Sequence, residues 1–257
     1  MMSSDTQYFV KEDSIVRKIW GKSDTILFIF AGASAEFALN KAVDWLYYTG
    51  KLPADPLGRL FSTVSYARKI VFSEMEDANK AIDKITSIHT VVENSRQAKI
   101  PDWAYRDVLY MLIHYSEASY ELLERKLAAP EKDELYDVFY RLGMRMNLKE
   151  LPSNYDEWCI SYREHQQLDL SKSIYTIDLY KQYRKHLGAF RYKLLMESQK
   201  MVVPETVKKM LEFKSIYWLK LILPLYKLSR QLKLDGYVKS VILPGEYLAQ
   251  IKALDNY

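Results

Sequence analysis

Residues 55–96 read DPLGRLFSTVSYARKIVFSEMEDANKAIDKITSIHTVVENSR, and they set the helical reading of the whole chain. Asp55 before Pro56 is an N-cap followed by proline at the first helical position. A helix is therefore expected over 56–72, with Glu74 to Asp77 restarting the chain into a second one. On the first helix Arg59 and Thr63 stand four apart, so a guanidinium and a hydroxyl share one face. On the second, Ala78, Ile82, Ile85, His89 and Val92 recur at helical spacing, which puts an imidazole in an apolar seam. An inward His, an inward Arg and a hydroxyl on paired helices are parts that a haem pocket needs. A single His on an apolar face is also often a hydrogen-bonded core residue.

Outward from this hairpin, nearly every long segment has helical period. ILFIFAGASAEFALNKAVDWLYY is strongly apolar, with small residues from Ala31 to Ala35 that allow close approach. Pro101-Asp102 opens a helix that ends before Ala128. The stretch PEKDELYDVFYRLGMRM begins with acidic residues where the helix dipole favours them. Ser153 or Asn154 caps a helix expected through Tyr162, and a long basic, aromatic helix covers about 174–201. Pro204 starts another, and a last helix pair covers the tail. The stretch VKSVILPGEYL could be extended, but it has no partner strand. Short loops and the absence of repeats give one all-α, multi-helix domain over 1–257, with its pocket between helices.

The chain has 257 residues, enough to bury a large core. Its 49% hydrophobic content excludes disorder as the main state. Its 21 tyrosines suit the walls of mixed pockets. A net charge of +4 is no nucleic-acid footprint. The excess falls late, on residues such as Lys181, Arg184, Lys185, Lys208 and Lys209. That is either a solvated set of helix faces or a weak attraction for an anionic membrane surface. The only cysteine, Cys159, cannot form an intramolecular disulfide and sits among aromatics as a buried structural thiol. No secretory h-region or membrane span is legible. The expected location is cytoplasmic, with peripheral membrane contact as the alternative.

Dinucleotide, P-loop, nucleophile-elbow and HExxH motifs are absent. No histidine follows a glutamate by three, which argues against a di-iron bundle. The other histidines look weaker than His89. His114 lies off the centre of its helix's apolar stripe, His165 sits in the polar stretch REHQQLD that suggests solvent, and His186 lies beside basic residues.

Asp55-Pro56-Leu57-Gly58-Arg59, Thr63, Val71-Phe72, Ala78 and Ile88-His89-Thr90-Val91-Val92, with Asp102 to Tyr120 and Leu142-Gly143…Leu151-Pro152, resemble the haem-dependent oxygenase domain shared by latex-clearing rubber oxygenases and the ER-bound MpaB oxygenase. The likeness covers about 20–215, leaving basic, aromatic C-terminal helices over 216–257. It implies a noncovalent haem b, with His89 as the proximal iron ligand, Arg59 holding the haem and Thr63 in the pocket. It also implies an oxidoreductase acting with O₂ on an apolar small molecule. Arg59 and Thr63 are then the catalytic candidates, and His89, Arg59 and Thr63 bind the cofactor. Ile26 to Phe37 would line the distal side, where Asp44 or Glu36 is a candidate base, although both acids could equally be surface residues. Ala33-Ser34-Ala35-Glu36 stands where the family often has His-Pro, Glu93 where it often has glycine, and Ser62 where rubber oxygenases have lysine. Polyisoprene is therefore not the implied substrate. The alternative is a non-enzymatic haem-sensing or membrane-peripheral helical protein.

Overall fold

The computed structural model describes residues 7–50, 54–214 and 217–231. Among these it holds eleven helices and no strand. In chain order they are α1 (Ile15–Trp20), α2 (Ser23–Phe37), α3 (Val43–Tyr48), α4 (Pro56–Phe72), α5 (Met75–Arg96), α6 (Asp102–Leu123), α7 (Ala129–Arg145), α8 (Tyr155–Leu168), α9 (Ile174–Val202), α10 (Glu205–Met210) and α11 (Trp218–Gln231).

The boundaries follow local chemistry. Asp55 accepts from the Gly58 amide at 2.8 Å and Asn154 from that of Glu157 at 2.9 Å, each satisfying one orphan donor of a first turn. The helix after Asn154 runs on to Leu168, past the expected end at Tyr162. No proline or glycine stops it there. The expected helix over 174–201 is α9, but Gly188 breaks it with φ 69° and ψ 174°. Only glycine adopts that region without strain. Of the tail expected over 216–257, the structure describes 217–231. The stretch VKSVILPGEYL and the rest of the last helix pair lie outside the described residues.

Helix α2 is the central element. It packs chiefly on α6 and α9, while α4 and α5 form a hairpin through the two residues 73–74. Its apolar stretch is used for this burial, as expected for a helix hydrophobic on most sides. Gly32 faces the Tyr115 ring so closely that an added Cβ would lie 2.2 Å from it. Trp20, Tyr110, Tyr115 and Trp158 are the largest sealed side chains. Each fully buried large side chain contributes about 1.5–3 kcal/mol. A smaller cluster joins α3 to α9 through Ala38, Val43, Leu179 and Tyr183.

Two isolated β-bridges, Tyr8 to Glu74 and Asn40 to Leu170, tie loops together. Arg230 of α11 pairs with Asp24 at 3.0 Å and Glu124 at 2.5 Å, while Leu221 and Leu225 stay 80% and 67% exposed. No helix among the described residues is long and apolar enough to cross a membrane.

Candidate functional site

The α4–α5 hairpin brings Arg59 and His89 together. Both are half-buried, and the Arg59 charge acts on the imidazole. Burial, then Arg59, pushes His89 down to about 4 against the opposing charge of Glu93. The ring is thus neutral at physiological pH, the form that ligates metal. Its Nδ1 is sealed from solvent without a hydrogen-bond partner. Burial also lowers the pKa of Arg59, and no carboxylate pairs with it among the described residues. Thr63 donates its hydroxyl to the Arg59 carbonyl at 3.1 Å.

The seam expected from periodicity is present. Ala78 and Ile82 are buried, and Ile85, His89 and Val92 are half-buried. Tyr105 of α6 covers His89 edge-on, with ring centroids 5.1 Å apart. One turn past His89, Glu93 is buried. It accepts from Lys99 Nζ at 2.6 Å, the Ile100 amide at 3.1 Å and the Tyr105 hydroxyl at 3.2 Å. The residue that replaces the family's frequent glycine therefore locks the end of α5 to the start of α6. Two turns past His89, Arg96 pairs with Asp44 at 2.7 Å and lies 4.0 Å over the Trp45 ring. Asp44 thus stands at the hairpin, held by a guanidinium.

Helix α2 shares its core with this hairpin. Its residues Ile26, Ile29, Phe30, Ala31 and Ala35 are buried in the core. Glu36 is no surface acid, being 3% exposed. Tyr115 and Tyr162 both donate to its Oε2, at 2.6 and 2.7 Å. Burial pushes its carboxyl up to about 7 despite these donors. His114 is wedged between the same two rings, 4.9 and 5.0 Å away, and burial pushes it down to about 4. The signal for Glu36 was a carboxylate inside a run of small and apolar residues.

An acid with a raised folded pKa holds a proton that the unfolded chain releases, so its contribution falls as pH rises from about 4.5 to about 7. That interval corresponds to about 3 kcal/mol. Denaturant melts of haem-free protein should show this loss, and Glu36→Gln should flatten it. An equal slope in both proteins would assign the pH dependence elsewhere.

His165 corrects the solvent reading. It is half-buried, with Nδ1 2.5 Å from Asp107 Oδ1 and 2.7 Å from Asp169 Oδ2. Asp169 lies four residues after His165, whereas Asp107 comes from α6 by tertiary packing. His186 is half-buried, with Nε2 unpartnered. Cys159 is half-buried rather than sealed, a free thiol in the core's margin. A separate open groove of about 310 Å³ is lined by Glu150, Glu157, Glu164 and Ile160, among others. It is acidic and holds none of the three predicted site residues.

The orphaned ring nitrogen of His89 and the unpaired guanidinium of Arg59 fit a group carrying both a Lewis-acidic metal and an anion. Haem, with its iron and propionates, is such a group. Comparison with known families matches residues 19–221 to the model described as ER-bound oxygenase mpaB/B'/Rubber oxygenase, catalytic domain. No curated protein and no solved structure matches the chain.

Proposed function

Because the chain belongs to the family of the ER-bound oxygenase mpaB/B'/rubber oxygenase catalytic domain, we propose that it is a haem b-dependent oxygenase acting with O₂ on an apolar small molecule. The observation that carries this reading is the pairing of a neutral, unpartnered His89 with an uncompensated Arg59 across one hairpin. Haem b, when bound, supplies redox-active iron for activating O₂.

The protein's own groups have defined tasks. His89 offers a neutral imidazole to the iron, and the Tyr105 ring limits how that imidazole turns. Arg59 would hold a haem propionate through its planar fork. Its hold is strong because few charges compensate it in a partly dry setting. Thr63 keeps a hydroxyl one turn away, able to leave the Arg59 carbonyl and orient what binds beside the guanidinium. Asp44 is tied to the end of this hairpin by Arg96 and is the candidate base there. Glu36 serves α2, α6 and α8 instead and is not assigned as the base.

Haem-loaded protein should incorporate label from ¹⁸O₂ into a member of a panel of lipids, terpenoids and aromatics. Mass spectrometry of the products reads this directly. A protein that binds haem yet yields only unlabelled substrate would be a haem-binding module without turnover, which is the alternative reading.

A further inference from the structure

Helices α6 and α8 and the turn after α8 bring Asp107, His165 and Asp169 to one point. One ligand atom from each lies within 4.8 Å of the others. The Asp107 side chain is only 6% exposed and that of His165 12%. Two acids meet a single imidazole nitrogen at 2.5 and 2.7 Å. His165 Nδ1 and Asp107 Oδ1 are sealed from solvent and have no partner beyond these contacts. One ring N–H flanked by two carboxylates serves them only by sharing, in a three-centre bond. A cation on the nitrogen's axis would engage all three donors at once, with the 2.5 and 2.7 Å gaps opening to the about 3 Å that adjacent donors keep when each lies about 2.1 Å from an ion.

A shell around the three donors is also present. Asn40 Nδ2 donates to the other Asp107 oxygen at 2.5 Å, and the Asn40 carbonyl oxygen accepts from the Ala42 amide at 2.8 Å, which fixes the asparagine. Such outer bonds orient ligating carboxylates. The surrounding backbone is stapled, with Lys41 N donating to Asp169 O at 2.9 Å and Ser171 N to Leu39 O at 2.7 Å.

We propose that Asp107, His165 and Asp169 bind one divalent first-row metal ion of the Mn²⁺ or Zn²⁺ class, with water filling its open positions. Two carboxylates and one imidazole suit these ions better than Mg²⁺, which prefers oxygen donors and holds its own water. The ion clasps α6 to the α8–α9 turn, and through Asn40 to the loop after α2. The proposal does not rest on the haem reading, because its ligands lie on other helices.

The test is calorimetric titration of the EDTA-dialysed full chain with MnCl₂ and ZnCl₂, using MgCl₂ for comparison and repeated after hemin loading. One equivalent of Mn²⁺ or Zn²⁺ should bind with or without hemin, and Mg²⁺ should bind at least tenfold more weakly. Asp169→Asn, at the helix end, and His165→Gln should each weaken binding about a hundredfold, while His89→Ala keeps it. The wild-type melting temperature should rise with metal and that of Asp169→Asn should not. Absence of saturable binding to the wild type would overturn the site and leave a histidine–carboxylate ion pair. So would wild-type affinity in Asp169→Asn, or loss of binding in His89→Ala.

Discussion

His89→Ala should lose at least a hundredfold in hemin affinity, about 2.7 kcal/mol or more, while keeping its helical content. The imidazole is neutral because burial and Arg59 push its pKa to about 4. Protons therefore do not compete with iron until the solution is strongly acidic. Wild-type affinity should be flat from neutral pH upward and should fall only as pH drops toward 4. The other histidines provide the contrast. His165→Gln and His186→Gln should leave the haem spectrum unchanged. His114 is wedged between Tyr115 and Tyr162, so His114→Gln tests ligation without opening a large void. A normal Soret band in His89→Ala, with loss in any of these three, would move the ligand to that residue.

Arg59→Ala should speed hemin loss by about ten- to a hundredfold, since charge-assisted hydrogen bonds contribute about 1.5–3 kcal/mol each. Arg59→Lys should recover only part, because an ammonium lacks the planar fork. The competing account makes Arg59 a fold residue paired with Asp55 one turn back. The geometry gives it no such pair: an Asp55 oxygen caps α4 at Gly58, and no carboxylate meets Arg59 among the described residues. Removing an uncompensated, half-buried cation should leave the haem-free melting temperature unchanged or slightly raised. An unchanged hemin off-rate with a clearly lowered haem-free melting temperature would assign Arg59 to the fold.

The α4–α5 hairpin was legible in the sequence because its signals are local. A cap, a following proline and an i, i+4 pattern act within a few residues, and the helices lie where those marks put them. The matched family span, 19–221, likewise agrees with the residues that carried the resemblance. Charged and polar groups buried by distant partners were not legible. His165 sits in a polar stretch and reads as solvated until Asp107, 58 positions earlier, is packed against it. Glu36 reads as a surface or catalytic acid until two tyrosines from α6 and α8 close on one of its oxygens. Periodicity reports which face of a helix is apolar but not which helix will cover it. For the same reason the packing of α2 on α6 and α9 could not be read from its apolar stretch.

Hemin titration of the purified wild-type chain beside His89→Ala, followed by absorbance, tests the central claim most directly. The wild type should saturate at one equivalent with a sharp Soret band, and the variant should show only the broad absorbance of free hemin. A wild type that takes up no hemin, or a variant that saturates identically, would contradict the assignment of His89 as the iron ligand.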